Sequence, residues 1–372
     1  MTKNLILEGI AKKYSGKYAV KDMNLEIKEG ELLTLLGPSG CGKTTTLRMI
    51  AGFERPDAGK LIYNDKVIND LIPQRRNFGI VFQSYALFPH MKVKENVAFG
   101  LEMQKYPRDD IQNRVDSLLK MVGLLEHKEK YPPELSGGMQ QRVALVRALA
   151  PNPEVLLLDE PLSALDAKIR LKLRGEIKQL QADLGITTIY VTHDQEEALA
   201  ISDRIVIMKQ GSIEQIGDPI STYKRPVSQY VANFVGTSNF FRGILKDGYI
   251  EGNNFKIKTA KTKETSSNSS RVYGAIRPEK VEIVIGSPNK EQFKENLLEG
   301  KLIVVNYLGL MVRLLFRVGE MEIIIDCLEK SFEDMKIKRG DTLTLYFPPQ
   351  EFMVFKDELS GETDANNQNS KT

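Results

Sequence analysis

The sequence contains no tryptophan and only two cysteines, Cys41 and Cys327, in 372 residues. The two cysteines lie far apart, and neither has a second thiol or an imidazole at metal-ligand spacing beside it. This scarcity argues against a disulfide framework and a zinc pattern, and it predicts a reduced, cytosolic chain.

A long hydrophobic run is also missing. The most apolar stretch, Ile303 to Phe316, is interrupted by Asn306, Gly309 and Arg313, whereas a membrane helix needs about 20 apolar residues. The opening residues MTKNLILEGI lack the apolar core and cleavage site of a signal peptide. We therefore expect neither secretion nor a membrane span, so that any work at a membrane requires a span from another chain.

The sequence also lacks a large excess of either positive or negative charge. Lys and Arg number 52 against 49 Asp and Glu, a net charge of +3. Any binding of nucleic acid or anionic lipid would therefore have to use a local cluster of basic residues. The 41% hydrophobic and 27% charged residues are typical of a soluble globular protein, and the length predicts two or three domains.

Strand-like and helix-like segments alternate over residues 1–236. Asp109–Gly123 and Asp166–Leu184 each place apolar residues on one helical face, and Gly185 stands where a glycine would end the second helix. The strand-like runs are residues 23–27, 31–36, 155–158, 187–192 and 204–208. This order predicts an α/β domain with a largely parallel sheet.

Short β-like pieces follow Gly236. They are residues 272–276, 302–305, 312–316, 322–326 and 342–347. We expect a small all-β domain over 237–356, with a flexible loop at 258–270 and a polar, disordered tail at 357–372.

One motif carries a specific chemistry. Gly37-Pro38-Ser39-Gly40-Cys41-Gly42-Lys43-Thr44 fits G-x-x-x-x-G-K-[ST] between a strand and a helix that starts near Thr45. Glycines let the backbone wrap phosphate oxygens, Lys43 would meet the β- and γ-phosphates, and Thr44 would bind Mg²⁺. A glycine-rich turn is the alternative. We assign no chemistry to Cys41, although nearby positive charge would lower the pKa of its thiol and expose it to modification.

An acidic pair, Asp159 and Glu160, ends the apolar run 155–158. At the carboxyl edge of a parallel sheet, Asp159 would support Mg²⁺ and Glu160 would orient a water for attack on the γ-phosphate. Alone, the pair would more simply cap a helix.

Leu135-Ser136-Gly137-Gly138-Met139-Gln140-Gln141-Arg142 lies between these two motifs. It resembles the signature of ATP-binding cassette (ABC) ATPases, and the resemblance extends over about the first 236 residues. It implies an α/β P-loop NTPase domain with a helical subdomain at about 91–150. It also implies contacts to ATP from the phosphate loop, Gly37 through Thr45.

The resemblance assigns further roles. Gln83 matches the glutamine that reaches the metal and the attacking water, so the metal site is Thr44, Gln83 and Asp159. His193 matches the histidine that contacts the γ-phosphate, and Tyr14 occupies the place of the aromatic that stacks on adenine, although Tyr18 competes for it. The positions matching the D-loop are Ser163 and Asp166.

In this family the signature of one subunit closes over ATP held by another. The resemblance therefore implies a second ATPase subunit, in a homodimer or with a close relative. Leu135, Ser136, Gly137, Gly138, Met139 and Gln140 would act in trans.

The β domain, with Ile276-Arg277-Pro278-Glu279 and the Leu308-Gly309 turn, resembles the oligonucleotide-binding-like (TOBE) regulatory domain of importer ATPases. The resemblance implies a peripheral subunit at the cytoplasmic face of the membrane, with two permease subunits and, indirectly, an extracytoplasmic solute-binding protein. Polyamine, phosphonate or ferric iron is favoured over sugar or sulfate as solute. No nucleic acid is expected; the alternative is a soluble ABC ATPase acting on DNA or ribosomes.

Overall fold

The computed structural model describes residues 3–260, 270–286 and 295–357. It divides into two compact units, Met1–Lys224 and Arg225–Thr372, so the proposed domain boundary after residue 236 falls inside the second unit. The interior of the predicted loop at 258–270, and the predicted tail except for Asp357, lie outside the described residues.

Two sheets form the frame of the first unit. Its strands are β1 Leu5–Tyr14, β2 Lys17–Ile27, β3 Leu32–Leu36, β4 Ala58–Tyr63, β5 Lys66–Val67, β6 Phe78–Val81, β7 Val155–Asp159, β8 Thr187–Thr192, β9 Arg204–Lys209 and β10 Ser212–Gly217. A four-stranded antiparallel sheet has the order β2-β1-β4-β5, and a six-stranded sheet has the order β10-β9-β3-β8-β7-β6.

In the six-stranded sheet, β9, β3, β8, β7 and β6 run parallel and only β10 is antiparallel. Every residue of β3 and β7 is buried, as expected for parallel strands covered on both faces. Because the carboxyl ends of parallel strands meet at one edge, the segments that follow β3, β6, β7 and β8 converge there.

The helices of this unit are α1 Lys43–Ala51, α2 Pro73–Arg76, α3 Val93–Met103, α4 Arg108–Met121, α5 Gly137–Leu149, α6 Ala167–Leu184, α7 Gln195–Ile201 and α8 Pro219–Lys224. A helical subdomain is built from α3, α4 and α5, which share a core that includes Val97, Leu118 and Val143. The predicted stripe of α6 is buried at Leu173 and Ile177, and Gly185 ends that helix with φ +59°.

The second unit is mainly antiparallel β. Its elements are α9 Gln229–Phe234, β11 Asn239–Lys246, β12 Tyr249–Glu251, β13 Lys256–Lys258, β14 Ser270–Ile276, β15 Glu282–Val284, β16 Leu297–Tyr307, β17 Met311–Val318, β18 Met321–Leu328, α10 Glu329–Met335, β19 Thr342–Tyr346 and β20 Met353–Lys356. They form two five-stranded sheets, β13-β12-β11-β14-β20 and β15-β19-β16-β17-β18.

The core of the second unit is aromatic. The ring of Phe241 packs edge-on against those of Phe255, Phe347 and Phe352. The predicted fold class, an α/β domain with a helical subdomain followed by an all-β domain, is confirmed; the short helices α9 and α10 were not anticipated. Among the residues described, no helix combines the length and apolarity needed to cross a bilayer.

Candidate active site

The phosphate loop connects β3 to α1 through a turn in which one position, Gly42, accepts only glycine. Gly42 has φ +104°, and a Cβ there would lie 2.3 Å from the carbonyl oxygen of Ala19. The turn brings the first turn of α1 to the carboxyl edge of the sheet. There its unpaired N–H groups and the positive end of the helix dipole favour an anion.

Lys43 carries the charge of this loop. Its Nζ donates to the carbonyl oxygens of Gly37 at 2.7 Å and Pro38 at 2.9 Å, and the residue is only 4% exposed. The ammonium group is therefore held within the loop, where it meets an arriving phosphate.

The pKa of the Cys41 thiol is raised, not lowered. The residue is buried, and burial raises the pKa of its thiol, although the charge of Lys43 opposes this shift. Burial dominates because the loss of hydration destabilises the thiolate more than the charge of Lys43 stabilises it. Cys41 is a packing residue of the loop: a Cβ on Gly37 would lie 2.6 Å from its Sγ.

Thr44 and Asp159 supply oxygen donors side by side. The Thr44 hydroxyl donates to Asp159 Oδ1 at 3.1 Å, and burial raises the pKa of Asp159. A hydroxyl and a carboxylate suit Mg²⁺, which prefers oxygen ligands and keeps waters and substrate phosphates as the others. Within the described ranges no cluster of three or more His, Cys, Asp or Glu forms a separate metal cage.

Glu160 lies at the centre of a polar cluster formed by the three loops that follow β6, β7 and β8. Its Oε1 is 3.2 Å from His193 Nδ1, and its Oε2 accepts from Gln83 Nε2 at 3.2 Å. The Ser163 hydroxyl donates to the Glu160 carbonyl at 2.9 Å. Glu160 has φ +45°, a value that is strained for a residue other than glycine. The structure thus brings Gln83, Glu160, Ser163 and His193 together.

The segment after Ser163 is held by α6. Asp166 caps this helix by accepting from Ile169 N at 3.0 Å. Arg170 donates to the Leu165 carbonyl at 3.0 Å and to Asp194 Oδ2 at 3.2 Å. Its guanidinium therefore connects the loop containing Ser163 to the residue that follows His193.

The signature residues lie at the start of α5 and away from the phosphate loop. Ser136 Oγ accepts from Met139 N at 3.4 Å, and Gln140 Nε2 donates to the Leu135 carbonyl at 3.2 Å. A Cβ on Gly137 would lie 3.0 Å from Leu165, and one on Gly138 would lie 3.1 Å from Ile169. Among the described residues no hydrogen bond joins the signature to residues 37–45.

Tyr14 and Tyr18, the two candidate adenine-stacking rings, differ in their surroundings. Its pKa is raised by burial and by Glu54, and its hydroxyl also interacts with Thr45 at the start of α1. Tyr18 stacks instead under Lys13, whose Nζ is 4.3 Å from the ring centroid. Both rings are exposed, 45% for Tyr14 and 49% for Tyr18.

Three residues with evident structural roles at the site had no sequence signal. They are Arg170, Arg147, which donates to the Tyr85 and Ala86 carbonyls, and Asn96, which hydrogen-bonds the backbone from Phe88 to Lys92. Each is a single polar residue in a helix that hydrogen-bonds the backbone of a loop. Only the tertiary structure reveals such contacts.

This arrangement suits in-line attack of water on a terminal phosphate. It combines a phosphate loop that contains a lysine, an acidic pair at the end of β7 and a histidine directly after β8. Together with the signature sequence at the start of α5, this sheet edge defines the class as P-loop nucleoside triphosphatases of the ATP-binding cassette type.

The comparisons with known proteins agree. Residues 20–163 match the family described as ABC transporter, and residues 274–355 match the TOBE domain. The spermidine/putrescine import ATP-binding protein PotA of Oleidesulfovibrio alaskensis is 51% identical over 285 residues, which cover 74% of this chain and 76% of that protein. The Fe(3+) ions import ATP-binding protein FbpC of Fusobacterium nucleatum is 41% identical over 361 residues, covering 97% and 95%.

Two solved structures match the first unit. A dimeric ATP-binding cassette bound to ADP and Pi aligns with TM-score 0.53 and 36% identity, covering 58% of this chain and 98% of that one. The protein cbiO1 of Clostridium perfringens aligns with TM-score 0.57 and 34% identity, covering 60% and 92%. The chain belongs to the ABC import ATPases with a C-terminal TOBE domain, and it hydrolyses ATP in a reaction coupled to transport.

Proposed function

We propose that this chain is the energising subunit of a membrane importer that binds ATP between two copies of itself. One observation carries the proposal: among the described residues, no hydrogen bond joins the signature at the start of α5 to the phosphate loop. A second chain, placed head to tail, supplies Ser136 and Gly138 to the γ-phosphate. Hydroxyl and N–H donors at a helix start stabilise that charge.

Each side chain of the sheet edge has a part in the hydrolysis. Lys43 binds the β- and γ-phosphates, while Thr44, Asp159 and Gln83 would hold Mg²⁺, which would neutralise charge on the phosphate oxygens. Glu160 orients the attacking water and accepts hydrogen bonds from its neighbours.

His193 contacts the γ-phosphate. Its Nδ1 lies 3.2 Å from Glu160 Oε1, so the two side chains are held close together. Ser163 and Asp166 form the loop that meets the partner chain. Tyr14 stacks on adenine, since it is the ring joined to the start of α1.

The assembly follows from the same proposal. Two permease subunits contact the segment from Ser84 to Gly100, which follows Gln83 directly. The chain works at the cytoplasmic face of the membrane, a solute-binding protein delivers the solute from outside, and no nucleic acid takes part.

Polyamine is the proposed solute, and ferric iron is the second candidate. The polyamine assignment is supported by the relative at 51% identity, and the iron assignment by the relative that spans 97% of this chain. Phosphonate, sugar and sulfate come after these two.

Glu160→Gln tests the proposed chemistry. The variant keeps the side chain's size but loses the charge that orients water, so ATP turnover is expected to fall about 100-fold or more while ATP affinity stays within about threefold. Phosphate release and nucleotide titration on the purified chain measure the two quantities, and size-exclusion chromatography is expected to show an ATP-stabilised dimer. Turnover equal to that of the parent would contradict the role of Glu160.

Uptake by the host decides the solute. A strain lacking the chain is expected to lose uptake of radiolabelled spermidine, the parent chain restores it, and Glu160→Gln does not. Loss of ferric-iron uptake alone would replace polyamine by iron. Normal uptake of all candidate solutes would reject the importer assignment.

A further inference from the structure

The loop after Gln83 contains two consecutive residues in a conformation that side chains disfavour. Tyr85 has φ +61° and Ala86 has φ +48°. For residues other than glycine the left-handed region is costly, and two such residues in succession need support from outside the loop.

Arg147 provides that support. Its two terminal nitrogens donate to neighbouring carbonyls, at 2.8 Å to Tyr85 and 2.7 Å to Ala86. The guanidinium also lies 5.6 Å from the ring centroid of Phe88. A planar fork of donors is suited to gripping two adjacent carbonyls at once. In the part of the chain that the structure describes, these carbonyls accept no other side-chain hydrogen bond.

Arg147 lies near the end of α5, the helix whose first residues are the signature. The chain on either side of Tyr85 and Ala86 has its own anchors. Gln83 is held by Glu160 and Ser163. Downstream, the buried amide of Asn96 on α3 bonds the backbone of residues 88, 91 and 92. Arg147 therefore ties the short segment between two fixed points to the signature helix.

The loop also contains a buried polar group that lacks a hydrogen bond within the described part of the chain, the hydroxyl of Tyr85. The residue is 6% exposed, yet its hydroxyl has no hydrogen-bond partner among the described residues. A buried hydroxyl without a partner is costly. Together with the strained backbone, this cost favours a second arrangement of the loop that is accessible when the grip of Arg147 is lost.

We propose that Arg147 is a positioning residue that couples movement of the signature helix to the loop at Tyr85 and Ala86, and through it to the permease. This inference rests on the proposed importer function, in which the segment from Ser84 to Gly100 faces the permease. When α5 moves to close over ATP in the partner, the bonds from Arg147 carry the movement to the loop.

Two variants weaken the link in different ways. Arg147→Lys keeps the charge but loses the fork, and Ala86→Val leaves Arg147 intact while adding a β-branched side chain at an exposed position of positive φ. Arg114→Lys is the matched control, because Arg114 also donates to a backbone carbonyl, that of Leu149 at the end of α5, and does not touch the loop.

The experiment compares ATP turnover of the purified chain with turnover of the full complex reconstituted with its permease subunits. For Arg147→Lys and Ala86→Val, stimulation by the permease is expected to fall about tenfold, while turnover of the chain alone stays within about twofold. Hydrogen exchange over residues 84–87 of the chain alone is expected to rise in both variants. The Arg114→Lys control keeps parental values in both measurements.

Parental stimulation in both variants would overturn the inference, as would an equal loss of both activities, which indicates a structural role only. If the permease does not stimulate even the parent, the importer proposal fails. The exchange measurement then still decides: parental exchange at 84–87 in Arg147→Lys would show that Arg147 does not hold the loop.

Discussion

At the residue scale, the polar groups of the site are paired with one another by the fold. Lys43 is bonded to loop carbonyls, Thr44 to Asp159, and Gln83 to Glu160. Side chains held in this way lose little freedom when a nucleotide binds, and preorganised charge is the main source of catalysis in phosphoryl transfer.

Lys43→Ala removes the charge of the phosphate loop. A charge-assisted hydrogen bond is worth about 1.5–3 kcal/mol, so ATP affinity is expected to fall about 10- to 100-fold. Isothermal titration measures the loss, with Lys66→Ala, an exposed lysine on β5, as the control. Unchanged affinity in Lys43→Ala would reject this loop as the phosphate site.

Glu197 is a buried carboxyl behind His193. Its Oε2 accepts from Tyr190 Oη at 2.9 Å and Thr192 Oγ1 at 2.8 Å. Burial raises its pKa above 4.5, against these two hydrogen bonds, which lower it. The folded chain therefore binds this proton more tightly than the unfolded chain. The resulting stability is present below about pH 4.5 and is lost as the pH rises through the raised pKa.

Glu197→Gln removes this titration. The free energy of unfolding of the parent, relative to the variant, is expected to fall as the pH is raised from about 4.5 to 8. Urea unfolding at several pH values measures the difference. Glu196→Gln is the control, since the Glu196 side chain is 79% exposed on the same helix. A difference that does not vary with pH would contradict the raised pKa.

At the scale of elements, the turn from β3 into α1 depends on space as well as on conformation. Gly40 and Gly42 both have positive φ, +80° and +104°, but only Gly42 faces a backbone carbonyl. A side chain at Gly40 meets strain alone, whereas one at Gly42 meets strain and Ala19.

Gly42→Ala is therefore expected to cost about 2 kcal/mol or more of folding free energy and to weaken ATP binding. Gly40→Ala, where a Cβ would meet nothing within 4 Å, is expected to cost about 1 kcal/mol. Denaturant unfolding and ATP titration of both variants test this order. Equal effects would show that conformation alone decides.

At the scale of the whole molecule, each unit has its own hydrophobic core. In the second unit, Ala232 of α9 packs with Ala275 and Phe355, and its carbonyl accepts from Arg277 at 2.9 Å. Helix α9, which precedes the predicted domain boundary at residue 236, thus packs with the β unit.

Fragments with different ends test this boundary. A fragment ending at Lys224 is expected to melt cooperatively and remain monodisperse. It does not contain α9, so no helix in it is separated from its packing partners. A fragment ending at Gly236 retains α9 without Ala275 and Phe355, and it is expected to bind a hydrophobic dye and self-associate. The opposite result, a well-behaved longer fragment and an aggregating shorter one, would support the boundary after 236.

The sequence by itself determined the class of fold and the main chemical groups. Buried parallel strands are continuous apolar runs, and a phosphate loop is local in the chain, so β3, β7 and Gly37 through Thr44 were predictable from short segments. The antiparallel β domain was predictable from its short strands for the same reason.

Only the tertiary structure decided the direction of the pKa shift at Cys41 and the unit to which α9 belongs. It also revealed Arg147, Arg170 and Asn96. These features depend on burial and on individual side-chain contacts, such as that of Arg147 with the Tyr85 and Ala86 carbonyls. A single arginine on a helix carries no periodic signal that says which distant carbonyl it will reach.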